Sequence, residues 1–402
     1  NRGSYLDNGI FKIEKHFETL RLSRINTSFT LNEATAISKS SGANISDSVL
    51  TSLPIKASNK EENRYLVNVT ALFLSEELTP IKPIPRPFQD ERSFRWGQIS
   101  QSKSKIERVI NYPENTDIEV ELVIESAPSF NYEEEDAADP RNISIKMRYS
   151  FIGMPNNNFE PRIADQSIGY FSEKITDLSA DDATPYLDLI HKWDLQKKNP
   201  KLEISEPVKP ITFWLENTTP IKFRDYITEG LLAWNEAFLK AGIKNAIEVK
   251  VQPDDATWDA GDIRYNVLRW TSSPNAPFGG YGPSFVNPRT GEIIGADIML
   301  EWVYATNRLT INDIFNASHG SLDCSIGNLM QEGNMMSYLT SSDKEDPEIL
   351  KQSIIRLTLH EVGHTLGLNH NFKASFLHDS KEVHNKELTQ KVGLTGSVME
   401  YP

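Results

Sequence analysis

Cysteine is almost absent from this chain of 402 residues, which contains one, Cys324. A lone cysteine excludes an intramolecular disulfide. No run of 18 apolar residues occurs, so we predict no transmembrane helix. Residues 1–5 lack the apolar core of a signal peptide, although a mature or trimmed form would lack one too. Acidic residues outnumber basic ones 56 to 42, and the net charge of −14 argues against nucleic acid as a partner.

The first half of the chain alternates apolar and polar residues with a period of two. Residues 117–124 and 143–151 show this alternation, and residues 65–74 are a third candidate. Such alternation is typical of half-buried strands. We therefore predict a β-rich domain over residues 1–195, whose role the sequence does not assign. We interpret the acidic run at 133–136 as a solvated loop, because calcium binding has no supporting motif there.

The second half mixes helical and strand periodicity, and prolines and lysines near residues 190–208 mark the boundary before it. Residues 222–241 place apolar side chains on one stripe, which predicts a long amphipathic helix that Gly242 ends. This pattern predicts an α+β or α/β domain, which we place at residues 205–402. The predicted strands are 211–216, 247–251, 263–270 and 296–302.

The most informative segment fits the pattern H-E-x-x-H-x-x-G-x-x-H between residues 360 and 370. On a helix, residues four apart share one face, so His360 and His364 can bind one metal ion through imidazole nitrogens. Glu361 follows the first ligand and can reach a metal-bound water as general base. Gly367 can adopt a positive φ and end the helix, and the turn brings His370 round as the third ligand.

The number of ligands indicates the kind of metal site. Three protein ligands leave one coordination position open, which is the arrangement of catalytic rather than structural zinc. Zinc fits better than iron, because oxygen chemistry would use two histidines and a carboxylate ligand. The alternative, three ordinary surface or core histidines, is disfavoured by the helix face that the first two share and by the number of ligands. Downstream lies Met399, in the segment SVMEYP. Alone, such a methionine indicates core packing, but after a zinc motif it indicates a Met-turn.

This combination resembles the metzincin clan of zinc metallopeptidases over residues 205–402. The segments HNFKAS, SVMEYP and YGPSFVNPRTGEIIGADI are similar to a bacterial Met-zincin family of secreted or envelope-associated proteins, in which a β-rich domain precedes the peptidase. Asn371 follows the third histidine, where the better-known families have Glu, Pro, Ser or Asp. The resemblance implies a twisted mixed sheet, a long helix, a zinc-binding active-site helix and one catalytic Zn2+. It also implies a protein or peptide substrate and a secreted, periplasmic or cell-surface location.

Further site residues follow from the resemblance. Tyr401 stands two residues after Met399, where astacins and serralysins carry a tyrosine close to the zinc. We predict that it binds the metal or stabilises the oxyanion, the alternative being a packed aromatic. A glycine-rich stretch stands where metzincins place an edge strand that can hold a peptide by strand addition, the alternative being a surface loop. Its candidate substrate-binding residues are Gly280, Tyr281, Gly282 and Ser284.

The remaining candidate ligands give weaker signals. Cys324 could cap the zinc as in a cysteine switch, but the cysteine of matrixins comes from a propeptide. Because Cys324 lies inside the predicted catalytic domain, a packed or exposed residue is favoured. His378 and His384 are predicted to be surface residues rather than ligands of a second metal ion. His191 and His319 have no partner at ligand spacing.

The chain ends three residues after Met399, whereas metzincins continue into a helix beneath the site, so we expect a domain truncated after the Met-turn. The main hypothesis is a zinc-dependent endopeptidase that hydrolyses proteins or peptides by zinc-activated water, with Glu361 as general base. The alternative is a latent or non-catalytic zinc-bearing module that binds polypeptide. Glu361 argues against it, because a non-catalytic site needs no base. A small amide or a glycopeptide as substrate is a third hypothesis.

Overall fold

The described residues of the computed structural model form two compact units. The first contains the described residues up to Met154 together with Ile175–Tyr186, and the second contains Pro155–Lys174 and the described residues from Leu187 onwards. Among the described helices, none combines the length and apolar character needed to cross a membrane. The structure describes residues 7–30, 36–82, 96–125, 139, 141–165, 167–272, 279–302 and 347–400.

The first unit is built mainly from antiparallel strands. One sheet has the order β1-β2-β4-β5, and in another the long strand β8 pairs with β6 and β7 along one edge and with β9 along the other. Strand β3 pairs in parallel with β10. Its strands are β1 (Phe11–His16), β2 (Thr19–Arg24), β3 (Phe29–Thr30), β4 (Ser48–Asn59), β5 (Arg64–Val67), β6 (Gln98–Ile99), β7 (Lys105–Asn111), β8 (Asn115–Glu125), β9 (Asn142–Ile152) and the last three residues of β10 (Ser172–Asp177). Its helices are α1 (Ala36–Ser41), a 3-10 turn (Gly42–Asn44) and α2 (Thr70–Phe73).

Two of the three strands predicted in this half are confirmed, as β8 and β9, but the third prediction is half wrong. Strand β5 ends at Val67, and a short helix follows within the segment 65–74. The reason is local, because the side-chain oxygen of Asn68 accepts a hydrogen bond from the N–H of Thr70 at 3.0 Å and turns the chain. The apolar residues beyond are therefore buried from a helical turn, as Leu72 illustrates.

The second unit has a five-stranded sheet of order β13-β12-β14-β18-β15. Neighbouring strands run parallel except at β15, which pairs antiparallel with β18 and forms one edge. Strands β16 and β17 pair separately as an antiparallel ribbon. The strands are β11 (Tyr186–Ile190), β12 (Ile211–Leu215), β13 (Ile247–Val251), β14 (Asn266–Thr271), β15 (Gly280–Tyr281), β16 (Ser284–Val286), β17 (Ile293–Ala296) and β18 (Ile298–Glu301). The helices are α3 (Ile221–Lys240), α4 (Pro347–Thr365) and α5 (Lys386–Val392), with 3-10 turns at Phe372–Leu377 and Glu382–His384.

Helices α3 and α4 share one core with this sheet. The predicted stripe of α3 is buried at Phe223, Ile227 and Leu231, and α3 ends before Gly242, whose φ is +83°. At Gly230 the two helices approach so closely that a Cβ would lie 2.9 Å from the carbonyl oxygen of Ile355. The other core residues include Phe213, Leu215, Leu268, Ile298, Leu300, Ile354 and Leu357.

The predicted mixed α and β class with a β-rich first half is therefore confirmed, and the finer assignment to a metzincin-type sheet stays a prediction. Helix α4 carries Pro347 in its first turn, a position that suits proline.

Candidate metal centre

Helix α4 presents the first two predicted ligands on one face, and a tight turn returns the third. The turn is a Schellman motif, in which the N–H of Leu368 donates to the carbonyl of Gly363 at 3.0 Å and the N–H of Gly367 donates to that of His364 at 2.9 Å. Gly367 has a φ of +93°, the left-handed conformation that the sequence predicted for it. The chain then reverses and brings His370 back to the helix.

The three imidazoles converge through their Nε2 atoms. Nε2 of His370 lies 3.1 Å from Nε2 of His364 and 3.2 Å from Nε2 of His360. Nitrogens at about 2.0–2.1 Å from a tetrahedral zinc ion stand about 3.3 Å apart, so the spacing fits zinc. Among the described residues, no other three His, Cys, Asp or Glu side chains come together as a possible metal site.

Backbone carbonyls fix which nitrogen of each helical histidine faces the centre. Nδ1 of His360 donates to the carbonyl of Val398 at 2.8 Å, and Nδ1 of His364 donates to the carbonyl of Leu368 at 2.9 Å. Each Nε2 is then the lone-pair nitrogen. The lone pairs of His360 and His364 are thus free to bind a cation, and Nε2 of His370 lies beside both, so the donor chemistry also fits a bound zinc ion.

Burial keeps the imidazoles neutral, which is the form that binds metal. Burial, together with the neighbouring His364, lowers the pKa of His360 to about 3. Burial likewise lowers the pKa of His364 to about 4 and lowers the pKa of His370, although the nearby carboxylate of Glu400 opposes the shift at His370. The centre is therefore ready to accept a cation without first losing protons.

Met399 is buried directly against helix α4. A Cβ added to Gly363 would lie 2.3 Å from the sulfur of Met399, so the helix can accept this methionine only at a glycine. The carbonyl of Met399 accepts a hydrogen bond from Asn371 at 3.0 Å, and the preceding carbonyl, of Val398, orients His360. These contacts bring the predicted Met-turn against the ligand helix.

Glu361 is buried between helix α4 and the glycine-rich stretch. Its side chain is 2% exposed, and burial raises its pKa to about 8, while a hydrogen bond from the N–H of Gly282 opposes that shift. A Cβ at Gly280 would stand 2.7 Å from Oε1 of Glu361, and one at Gly282 would stand 2.6 Å from its carbonyl oxygen. The absence of a Cβ at both positions therefore lets this stretch pack directly on Glu361.

The other two residues predicted in this stretch stand on short strands. Tyr281 stands on the edge strand β15 opposite Met299, and Ser284 stands on β16 opposite Ala296. Among the described residues, Gly280 and Tyr281 thus form an edge strand of the sheet. Its role in holding a peptide stays a prediction.

Residues far upstream also contact the centre, and the sequence analysis missed them. The ring of Phe171 lies 5.6 Å from that of His364, measured between centroids, and the indole N–H of Trp193 donates to the carbonyl of Thr365 at 2.8 Å. His191, predicted to have no ligand partner, has its Nε2 3.0 Å from Oε1 of Glu173. Aromatic residues at such distances in sequence form no motif, so no sequence signal could have found them.

The remaining predicted candidates are placed as follows. Nε2 of His378 donates to the carbonyl of Gly393 at 2.7 Å, and His384 is exposed on a 3-10 turn. Neither belongs to the group of converging imidazoles. Tyr401, Cys324 and His319 lie outside the described residues, as does the acidic run at 133–136.

Comparison with known families agrees with the centre. Residues 342–402 match the family model described as Met-zincin, which confirms the resemblance that the motif indicated. Residues 3–198 match the model described as Domain of unknown function (DUF5117). Neither the curated proteins nor the solved structures include a match to this chain. A Met-zincin segment that carries a histidine triad able to bind zinc suggests a zinc metallopeptidase.

Proposed function

We propose that this chain, with its Met-zincin segment, is a zinc-dependent endopeptidase whose general base is Glu361. The observation that carries the proposal is the convergence of three Nε2 atoms, two from helix α4 and one from the turn after it, with a buried carboxylate on the same helix next to the first ligand. His360, His364 and His370 would hold a single Zn2+ ion. A site that only stored or displayed the metal would have no need for a carboxylate enclosed beside it.

The bound zinc ion would supply Lewis-acid polarisation of the peptide carbonyl and a lowered pKa for water. Glu361 accepts one proton from the attacking water as the oxygen bonds to the carbonyl carbon. The same carboxyl then gives that proton to the amide nitrogen as the C–N bond breaks, so the base is restored. The N–H of Gly282, by its hydrogen bond to the carboxylate, holds Glu361 in place for both transfers.

Strand β15 offers an edge on which an extended peptide can pair. The N–H of Glu301 donates to the carbonyl of Gly279 at 2.9 Å, so the N–H and C=O of Gly280 point away from β18. Gly280 is also the residue packed against the Glu361 carboxylate. A peptide paired with this edge would pass beside the base, which supports a polypeptide substrate.

The test compares Glu361→Gln with the matched control Glu348→Gln. Both change one carboxylate to an amide on helix α4, but Glu348 is exposed in the first turn and Glu361 is buried beside the ligands. We expect zinc in all three proteins, and cleavage of a peptide library by the wild type and the control. Glu361→Gln should lose about 10²–10⁴-fold in kcat, the range of general acid–base catalysis.

Two outcomes would overturn the proposal. Wild-type protein that binds no zinc would remove the metal site. Zinc in every protein without cleavage by any of them would favour the alternative, a zinc-bearing module that binds polypeptide. A cleavage profile restricted to small amides or glycopeptides would keep the metal site and change the substrate class.

A further inference from the structure

We propose that two upstream segments, residues 169–173 and 190–193, position the zinc ligands by holding the turn at 365–370, and that Trp193 and Phe171 are positioning residues. Both segments lie within the part of the chain that matches the domain of unknown function. The inference rests on the proposed function for the identity of the metal. It assigns to the upstream chain a share in the metal centre that the family match at 342–402 does not include.

The first upstream segment pairs with the turn as a short antiparallel ribbon. The N–H of Phe171 donates to the carbonyl of Gly367 at 2.8 Å, and the N–H of Asn369 donates to the carbonyl of Gly169 at 3.0 Å. A Cβ at Gly169 would lie 3.5 Å from the carbonyl oxygen of His370. The ribbon thus holds the backbone of the turn up to the third ligand.

The second upstream segment supports the turn where helix α4 ends. The last carbonyls of a helix have no partner within it, and Trp193 supplies one by donating its indole N–H to Thr365. The carbonyl oxygen of His191 lies 2.1 Å from the position that a Cβ on Gly367 would occupy. The backbone of the turn therefore packs directly on the backbone of the upstream segment.

The two upstream segments are joined to each other and to the ribbon of β16 and β17. The N–H of His191 donates to the carbonyl of Phe171 at 2.8 Å, which connects the segments. Lys192 donates its N–H to the carbonyl of Gly291 at 3.0 Å and accepts from the N–H of Ile293 at 2.9 Å. The support is consequently anchored on regular structure and is not a free loop.

His364 depends on this support in two ways. Its ring packs against Phe171, whose other neighbour is the imidazole of His191 at 6.2 Å between centroids. Its Nδ1 donates to the carbonyl of Leu368, a residue of the supported turn. If the turn loosens, His364 loses both its packing partner and its acceptor. Partners of this kind typically change metal affinity by about 10–100-fold when they are removed.

The experiment measures Zn2+ affinity of the full chain by competition with a chelator, for wild type, Trp193→Phe and the control Trp270→Phe. The control removes the same atoms in the same unit, but Nε1 of Trp270 has no hydrogen-bond partner among the described residues. We expect Trp193→Phe to bind Zn2+ about 10-fold or more weakly, and Trp270→Phe to stay within about twofold of wild type. The ligand-field spectrum of bound Co2+ should change for Trp193→Phe only, because the geometry at His364 changes.

A second variant, Phe171→Leu, keeps the backbone groups that pair in the ribbon and removes the ring that lies against His364 and His191. It should also weaken Zn2+ binding and alter the Co2+ spectrum. Folded variants Trp193→Phe and Phe171→Leu that both bind Zn2+ within twofold of wild type would overturn the inference while the proposed function stands. A wild-type chain that binds no Zn2+ would overturn both the inference and the proposed function. If Trp270→Phe weakens Zn2+ binding as much as Trp193→Phe does, the loss reflects general stability, and the inference is overturned.

Discussion

Gly280 and Gly282 face the same glutamate, but they meet different parts of it. A Cβ at Gly280 would press on the carboxylate end of Glu361, which can rotate, and one at Gly282 would press on its backbone oxygen, which cannot. We therefore expect Gly280→Ala to fold and retain zinc but to lose about 10²-fold in kcat/KM, since a displacement of about 1 Å at a catalytic group costs that much. Gly282→Ala should instead lose about 1–3 kcal/mol of unfolding free energy.

The measurements are zinc content, urea unfolding and peptide cleavage on both variants. Gly153→Ala is the control, because its Cβ would stand 3.5 Å from the nearest heavy atom, the carbonyl oxygen of Glu114, an ordinary contact. If Gly280→Ala keeps wild-type cleavage, the carboxylate is not held by the strand. If Gly282→Ala unfolds like the control, the backbone at Gly282 can move away from the carbonyl oxygen of Glu361.

At the scale of elements, the turn that ends helix α4 requires a glycine at position 367 for two reasons. One is the backbone conformation of this residue, and the other is its close contact with the upstream chain. Gly367 has a φ of +93° and Gly393 one of +98°, so an alanine at either position adopts a positive-φ conformation that L side chains rarely take. At Gly393, where ψ is 164°, the conformation is populated almost only by glycine, and the strain costs about 1–3 kcal/mol. At Gly393 the nearest atom to the new Cβ would be the carbonyl oxygen of Thr395 at 3.4 Å, whereas at Gly367 it would be that of His191 at 2.1 Å.

The difference in lost unfolding free energy between Gly367→Ala and Gly393→Ala measures the contact of Gly367 with the upstream chain. We expect Gly393→Ala to lose about 1–3 kcal/mol of unfolding free energy from backbone strain alone. Gly367→Ala should lose at least about 2 kcal/mol more, because overpacking against a fixed backbone adds to the strain. Zn2+ affinity should fall for Gly367→Ala only. Equal losses of stability in the two variants would show that the turn does not pack on His191.

The elements show which features a sequence can predict. Helix α3 and strands β8 and β9 were predictable, because a long stripe or a sustained alternation repeats the same signal many times. Helix α2 was missed, because one side-chain hydrogen bond at Asn68 outweighs the β propensity of a short apolar run. Isolated local contacts of this kind leave no periodic pattern.

Over the whole molecule, the candidate site likewise divides into residues that a sequence pattern predicts and residues that it does not predict. The ligands, the base and Met399 lie within 360–399, and the chemistry of each residue type marks its role. The partners that orient them are backbone carbonyls, as at Val398 and Leu368, and every residue has a carbonyl. Phe171 and Trp193 are ordinary aromatics about 170–190 residues before the motif, and only the folded chain brings them to it.

The division into two units makes a prediction about metal-linked stability. A ligand that binds only the folded state stabilises it by about 4 kcal/mol at a concentration of 1,000 times Kd. The histidines belong to the second unit, and the first has its own core, in which Val120 and Leu122 are fully buried. We therefore expect zinc to protect the second unit and to leave the first unchanged.

Hydrogen exchange of the full chain, with saturating Zn2+ and after its removal by a chelator, measures this directly. The slowest amides of helix α4 should exchange up to about 10³-fold faster without zinc, since 4 kcal/mol corresponds to that ratio. Those of strand β8 should not change. The variant His360→Ala, which lacks a ligand, should show no effect of zinc in either unit. Equal acceleration in β8 and α4 would mean that the chain unfolds as one cooperative body, and no acceleration in α4 would mean that the centre adds nothing to folding.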